Sequence, residues 1–258
     1  MKIGIVGIGH VGGVMADQFP DAFLYDPYKD LGTKEDINQC DISFVCVPTP
    51  QAPDGSCDTH IVEDVLEWLE TPVIVIRSTV PVGFTDAQSK KLNKRIVFQP
   101  EYYGETVNHI FADPMNRSWI TLGGNVKDCE VAANAYKTIF QSNLIINIVD
   151  AKVAELAKYM ENSFYANKVI FCNQFYELAQ GLNVNYDQLR ETWLLDPRIN
   201  RDHTFVYPDK RGYGGHCLPK DLSAITYQGE QSNINVDFLK AIAKANEDFK
   251  NETSDNCT

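Results

Sequence analysis

The run Gly7-Ile8-Gly9-His10-Val11-Gly12 stands between a short apolar stretch, residues 2–6, and a helical pattern of apolar positions, residues 14–19. In such a context the first glycine makes a tight turn, the second lets the backbone approach a diphosphate, and the third lets helix and strand pack closely. The N–H groups at the start of the helix then bind phosphate. The run therefore predicts a dinucleotide-binding unit, with Gly7, Gly9, His10, Val11 and Gly12 against the cofactor.

An acidic residue follows at the spacing that such a unit requires. A second predicted strand, residues 22–25, ends on Asp26, about 20 residues after the first glycine of the run. A carboxylate there accepts hydrogen bonds from the adenosine ribose hydroxyls, although an aspartate that simply ends a strand is the alternative. The carboxylate would repel a 2′-phosphate and no arginine follows closely, so NAD is favoured over NADP.

Further apolar runs in the first half of the chain have the length of buried strands, and polar loops follow them. They cover residues 41–50, where prolines end the strand, and residues 73–76, 96–98, 119–122 and 144–149, with helical spacing in residues 59–69 and 126–140. This alternation is typical of an α/β fold with a doubly wound parallel sheet. Because ligands bind outside the carboxyl ends of such strands, we expect Pro48, Thr49, Ser78 and Thr79 at the cofactor site.

The pattern changes after residue 149 to one long helix, residues 151–181. We therefore predict a Rossmann-type NAD-binding domain over residues 1–149 and a smaller all-α domain over residues 150–258. Lys158 and Asn162 share a face of the long helix, either as functional groups or as solvated surface residues. The predicted buried stripe of this helix is Val153, Leu156, Met160, Phe164, Val169, Cys172 and Phe175.

The second half contains one stretch that suggests covalent chemistry, Gly212-Tyr213-Gly214-Gly215-His216-Cys217-Leu218-Pro219-Lys220-Asp221. Its glycines allow positive φ and close approach of the backbone to a ligand. A lysine and an aspartate follow the cysteine, and a nearby cation favours the reactive thiolate. A glycine-rich turn before a helix that happens to contain a cysteine is the alternative.

The composition indicates an ordinary globular protein. The 258 residues are 44% hydrophobic and 22% charged, and no run approaches the ~20 apolar residues of a membrane span. The formal net charge of -12 argues against nucleic acid or an anionic membrane as a partner. Seven cysteines without zinc-site spacing, in a chain whose first residues are unlike a signal peptide, predict a cytoplasmic location and no metal.

Six blocks in the same order resemble the UDP-glucose/GDP-mannose dehydrogenase family, whose members oxidise a nucleotide-sugar alcohol to the uronic acid with NAD. The blocks are GIGHVG with Asp26, CVPTP, RSTVPVG, QPEYYGE, ELAKYMEN over residues 155–162, and GYGGHCLPKD. The turn that bears Arg198 is similar to an arginine-bearing turn of the family. The resemblance covers most of the chain and implies a homodimer through the long helix.

The resemblance also implies roles for individual residues. Cys217 would be the nucleophile that carries the substrate carbon as a thiohemiacetal and then as a thioester, so that two oxidations share one site. Lys158 and Asn162 would hold the developing oxyanion, Asp221 would position water and lysine, and Glu101 with Thr79 would act on the water. Glu105 would lie near the cofactor. The implied substrate-binding residues are Glu101, Tyr102, Lys158, Asn162, Arg198, Tyr213 and Gly214.

The sequence departs from the family pattern in several places. Family members continue into another α/β domain that grips the nucleotide, and residues up to Thr258 do not include it. Residues 27–40 form a short connection, Arg77 stands where lysine is common, and His216 precedes the cysteine. Two alternatives therefore stay open: a two-electron dehydrogenase of a small hydroxy acid, and a non-catalytic NAD-binding subunit.

Overall fold

A computed structural model describes residues 1–102, 117–137, 139–140 and 144–255. The chain divides into two compact units. The first unit is Met1–Pro50 with Cys57–Lys158, and the second is Gln51–Ser56 with Tyr159–Thr258. The division thus falls within the long helix, a few residues beyond the predicted boundary, and the short loop Gln51–Ser56 groups with the second unit.

The described residues of the first unit form a seven-stranded sheet in the order β2-β1-β3-β4-β5-β6-β7. Strands β1 to β5 are parallel, β6 pairs antiparallel with β5, and β7 is parallel to β6. The predicted α/β class is confirmed. The sheet is mostly rather than entirely parallel, which the sequence did not predict because apolar runs reveal strands but not their direction. The strands are β1 Ile3–Val6, β2 Phe23–Tyr25, β3 Ile42–Val45, β4 Val73–Ile76, β5 Ile96–Phe98, β6 Trp119–Gly123 and β7 Ile145–Val149.

Helices connect the strands and make up most of the second unit. Two of them, α2 (Lys34–Asn38) and α4 (Phe84–Leu92), lie where the sequence predicted no helix, since α2 has five residues and α4 carries few apolar side chains. The helices are α1 His10–Gln18, α2 Lys34–Asn38, α3 His60–Trp68, α4 Phe84–Leu92, α5 Val126–Lys137, α6 Ala151–Gly181, α7 Tyr186–Trp193, α8 Cys217–Gln231 and α9 Asp237–Asp255.

The sheet is covered on both faces, as a parallel sheet requires. Successive residues of a strand point to opposite faces, so Val73 and Val75 of β4 pack in one hydrophobic cluster while Ile74 and Ile76 pack in the other. The second unit has its own core, in which Ala166 of α6 packs with side chains of α8 and α9. No helix in the described parts of the chain has the length and hydropathy of a membrane span.

The predicted buried stripe of α6 is wrong for most of its members. Val153, Leu156, Met160, Phe164 and Phe175 are exposed, whereas Cys172 is buried. The buried side of α6 instead carries alanines together with polar residues. A hydrophobic pattern predicts burial only where other parts of the chain pack against it. In α6 the rest of the chain packs against the face that carries the alanines and polar residues.

Candidate active site

Each glycine of the Gly7–Gly12 run has a geometry that suits its predicted role. Gly7 adopts φ +84, and a Cβ on Gly12 would lie 1.9 Å from the Gly7 carbonyl oxygen, so the loop and α1 touch backbone to backbone. A Cβ on Gly9 would meet nothing within 4 Å, and no side chain caps α1. The start of α1 therefore has room and N–H groups for a diphosphate.

Asp26 has a local structural role beside the predicted one. One of its carboxylate oxygens accepts a hydrogen bond from the Ile8 N–H at 2.9 Å, and the other accepts from the Tyr28 N–H at 3.0 Å. The Lys29 ammonium donates to the Ile8 carbonyl at 2.6 Å. Asp26 thus fixes the glycine loop against the end of β2. Each carboxylate oxygen has a second lone pair, so a ribose hydroxyl can still donate to it.

The loops after β3 and β4 are tied together beside the glycine loop. β1 is flanked by β2 on one side and by β3 on the other, which makes the carboxyl ends of β1 and β3 the topological switch point of the sheet. The Ser78 hydroxyl donates to the Val47 carbonyl at 2.6 Å, and the Thr79 carbonyl accepts from the Cys57 thiol at 3.4 Å. These contacts hold Ser78 and Thr79 against the stretch that contains Pro48 and Thr49, at the carboxyl ends of β3 and β4.

Glu101 follows β5 and lies among cations. Its carboxylate contacts the guanidinium of buried Arg77, and Arg117 approaches it at 3.3 Å. Arg77 also donates to the Tyr136 hydroxyl at 2.6 Å. Two arginines therefore hold the Glu101 carboxylate in place. The sequence singled out Arg77 as a departure from the family, but Arg117 carried no local signal.

Glu155, a residue that the sequence gave no role, joins α6 to the start of α4. It is 0% exposed, and its two oxygens accept hydrogen bonds from the Gly83 N–H at 2.6 Å and the Thr85 N–H at 2.9 Å. Burial raises the pKa of Glu155, although these N–H groups act in the opposite direction. The carboxylate thereby caps the N-terminus of α4 from another helix.

Lys158 is buried rather than solvated. Its ammonium donates to the Glu101 carbonyl and lies 4.8 Å from the centre of the Tyr102 ring. The first unit therefore anchors this cation to the residues that follow β5. A buried lysine held beside a carbonyl and an aromatic face is suited to stabilise a developing negative charge.

The second unit brings Asn162 to Asp221 and places Asp221 one turn from Cys217. The Asn162 amide donates to the Asp221 carboxylate at 2.6 Å, and Lys220 forms an ion pair with the same carboxylate at 2.5 Å. Cys217 is the first residue of α8, so Asp221 lies one turn further along the same helical face. The start of a helix favours an anion such as a thiolate.

Cys217 differs from the other cysteines that the structure describes. It is exposed, whereas the other five are buried. Burial raises the pKa of Cys46 to about 12 and that of Cys129 to about 11, with Asp128 adding to the increase at Cys129. The thiolate form is therefore much less populated at Cys46 and Cys129 than at an ordinary cysteine. Cys257 lies outside the described residues.

The remaining predicted residues lie in different surroundings. Arg198 is exposed and pairs with Asp196, whose carboxylate accepts from its Nε at 2.9 Å. The side chain of Tyr213 is buried in the core of the second unit, while Gly214 is exposed. Glu105 lies outside the described residues. No group of three or more metal-ligating side chains occurs in the described ranges.

Both units match models of one protein family. The NAD-binding domain of the UDP-glucose/GDP-mannose dehydrogenase family matches residues 29–143, and its central domain matches residues 152–248. The chain belongs to this family. It is 28% identical over 222 residues to a UDP-glucose 6-dehydrogenase of Rickettsia felis, and 29% identical over 228 residues to a putative UDP-glucose 6-dehydrogenase of Bacillus subtilis. These stretches are 82% and 83% of this chain.

Among solved structures, a UDP-glucose dehydrogenase from Pyrobaculum islandicum matches with a TM-score of 0.81 at 25% identity, over 95% of this chain and 68% of that one. The chain spans about half the length of the curated relatives it matches, 48% of the Rickettsia protein and 52% of the Bacillus protein. Membership of the family therefore rests on the NAD-binding and central domains.

Proposed function

We propose that this family member catalyses the NAD-dependent four-electron oxidation of a nucleotide-sugar C6 alcohol to the uronic acid, as in the conversion of UDP-glucose to UDP-glucuronate. The observation that carries the proposal is Cys217, an exposed cysteine at the first position of α8 with Asp221 one turn away. The names of the related proteins support the substrate class.

The cofactor would bind at the glycine loop of the first unit. Gly9 leaves space for a diphosphate, Asp26 accepts from ribose hydroxyls, and the loops with Thr49 and Ser78 border the same edge of the sheet. The fit favours NAD over NADP, because a 2′-phosphate would meet the Asp26 carboxylate. Two NAD molecules, bound in turn at this site, would supply the hydride acceptors for the two oxidations.

The Cys217 sulfur would carry the substrate carbon between the two oxidations. After C6 has lost a hydride and its hydroxyl a proton, the sulfur adds to the aldehyde carbon and the oxygen is protonated, which gives a thiohemiacetal. Loss of a second hydride and of the hydroxyl proton gives a thioester. Water then cleaves the carbon–sulfur bond, and the acid and the Cys217 thiol are released.

The other predicted residues would serve the charges that form in these steps. Lys158 and Asn162 would donate hydrogen bonds to the oxyanion at C6, and Asp221 would hold Asn162 in the required orientation. Glu101 and Thr79 would position the hydrolytic water. Arg77 and Arg117 would keep the Glu101 carboxylate in position for this role.

The test is the yield of reduced cofactor per sugar. The purified 258-residue chain is incubated with NAD and UDP-glucose, and with GDP-mannose in parallel, and NADH and uronic acid are both quantified. We expect two NADH per acid. Cys217→Ser should abolish acid formation while NAD affinity, measured by titration, stays within about twofold of the wild type.

Two outcomes would replace the proposal. One NADH per sugar, with full activity in Cys217→Ser, would indicate a two-electron dehydrogenase. Binding of NAD without oxidation of any nucleotide sugar, together with a Cys217 thiol no more reactive than an ordinary one, would indicate a non-catalytic NAD-binding subunit.

We further propose that the chain forms a homodimer through α6. Large apolar side chains of the second unit lie on one side of this helix and are exposed, with Met160 at 74% and Phe164 at 58%. Phe171, Phe175 and Leu178 continue the same side toward the end of the helix. An exposed row of this size favours association with a second copy.

A further inference from the structure

We propose that two buried asparagines, Asn173 of α6 and Asn246 of α9, are positioning residues that fix the backbone leading to Cys217. The inference rests on the proposed function, in which the Cys217 sulfur is the reacting atom. Both side chains are nearly inaccessible, at 1% and 2% exposed. Buried amides are found where their hydrogen bonds specify one arrangement of the chain.

The segment that leads to Cys217, residues 211–216, cannot fix the position of its own last three residues. Gly214 and Gly215 have no side chains to pack, and Gly214, Gly215 and His216 are all exposed. Its position must therefore be set by the residues before Gly214 and by helix α8 after it. The reacting sulfur must be positioned to within a fraction of an ångström for its attack on the substrate carbon. The fixed points before Gly214 therefore matter for the rate.

Asn173 provides the first fixed point. Its side-chain oxygen accepts hydrogen bonds from Arg211 Nε at 2.7 Å and from the Gly212 N–H at 3.2 Å. Its amide nitrogen donates to the Val169 carbonyl at 2.8 Å, which fixes the orientation of the amide on α6. One oxygen thus holds both a side chain and a backbone group at the start of the segment.

Asn246 provides the second fixed point, from a different helix. Its side-chain oxygen accepts a hydrogen bond from the Tyr213 N–H at 2.7 Å. Gly212 adopts φ +73, and a Cβ there would lie 2.5 Å from the same Asn246 oxygen. Only a glycine at position 212 lets α9 approach the segment this closely, and Asn246 supplies the hydrogen-bond acceptor at the contact.

Arg211 completes the arrangement by filling the space between the helices. Its guanidinium lies 4.7 Å from the centre of the Tyr176 ring and 4.9 Å from that of Phe249, and it pairs with Glu177. Stacking on two rings leaves the planar group little freedom. The segment is consequently anchored to α6 and α9 at three consecutive residues, four to six positions before Cys217.

The experiment uses the full chain and measures two properties, the rate at which iodoacetamide modifies Cys217 and the kinetics with NAD and UDP-glucose. Modification is followed at the Cys217 peptide by mass spectrometry and corrected for the folded fraction. Asn246→Ala should lower kcat by about 10 to 100-fold, with KM for the sugar changed by less than about threefold. Its Cys217 modification should slow by about threefold or more, because a frayed first turn of α8 favours the thiolate less.

Matched variants separate positioning from simple loss of stability. Asn246→Asp keeps an acceptor oxygen for the Tyr213 N–H, so it should restore both rates to within about threefold of the wild type. Asn173→Ala should resemble Asn246→Ala. Asn251→Ala, at an exposed position of α9, should change neither rate.

A Cys217 modification rate in Asn246→Ala within about twofold of the wild type would overturn the inference, whatever the change in melting temperature. Modification by iodoacetamide needs no turnover. If the wild type oxidises no nucleotide sugar, the proposed function fails, while the modification rates still decide whether the asparagines position Cys217.

Discussion

At the scale of single residues, Gly12 and Gly13 offer a matched pair. A Cβ on Gly12 would lie 1.9 Å from the Gly7 carbonyl oxygen, whereas one on Gly13 would meet nothing within 4 Å. We expect Gly12→Ala to lower the free energy of unfolding by about 2 kcal/mol or more and to weaken NAD binding. Gly13→Ala should raise it by up to about 1 kcal/mol, because alanine favours a helix. Urea denaturation measures the free energy of unfolding of both variants. Equal values would contradict the close contact between Gly12 and the Gly7 carbonyl.

Glu191 gives the molecule a local dependence on pH. Hydrogen bonds from Arg201 and Arg190 lower the pKa of Glu191 to about 2, from an ordinary value of 4.5. A folded-state pKa below the unfolded one stabilises the fold above the unfolded pKa, and this stabilisation is lost as the pH falls from about 4.5 toward 2.

We therefore expect the wild type to be more stable than Glu191→Gln near neutral pH and the difference to shrink toward zero near pH 2. Urea denaturation of both proteins between about pH 6 and pH 2 measures it. Salt should reduce the difference at neutral pH, since the group is exposed. A difference that does not vary with pH would show that the two arginines do not act through the charge of Glu191.

At the scale of elements, the join between α4 and α6 depends on one carboxylate. Glu155→Ala would leave the buried Thr85 N–H and the partly buried Gly83 N–H without their acceptor, so we expect a loss of about 3 kcal/mol in the free energy of unfolding. Glu155→Gln retains one acceptor oxygen and should lose about half as much.

The control for this element is Asp86, an exposed acid in the first turn of the same helix. Asp86→Ala removes the interaction with the helix dipole and also the repulsion between Asp86 and the Glu155 carboxylate; these act in opposite directions, so it should cost less than about 1 kcal/mol. Chemical denaturation of the three variants compares them directly. A loss at Glu155→Ala no larger than that at Asp86→Ala would mean that the carboxylate does not support α4.

The elements themselves were predictable to different degrees. Strands β4 and β5 and helix α6 have the predicted bounds, because continuous apolar runs and long helical patterns are strong local signals. Helix α4 was missed, since its nine residues carry few apolar positions and its N-terminus is capped by Glu155, which is distant in sequence. The antiparallel direction of β6 was not predicted either, because the direction of a strand depends on its pairing and not on its composition.

At the scale of the whole molecule, the proposed homodimer is testable by mass. The chain is 29.1 kDa, so light scattering after size exclusion should give about twice that value for the wild type. Phe164→Glu places a charge in the exposed apolar row of α6 and should shift the protein to the monomer. Gln180→Glu, an exposed position on the opposite side of the helix, should leave the dimer intact. A monomeric wild type would end this proposal.

Sequence alone was enough to predict the NAD-binding α/β unit, its seven strands and most of its helices, and the candidates Cys217, Lys158 and Asn162. These features depend on spacing within short stretches, and local geometry follows from local residue types. Three features became visible only in the folded molecule: the buried side of α6, the arginines Arg77 and Arg117 around Glu101, and the contacts of Asn173 and Asn246 with the segment before Cys217. Each of these joins residues far apart in the chain, and such contacts exist only once the elements have packed.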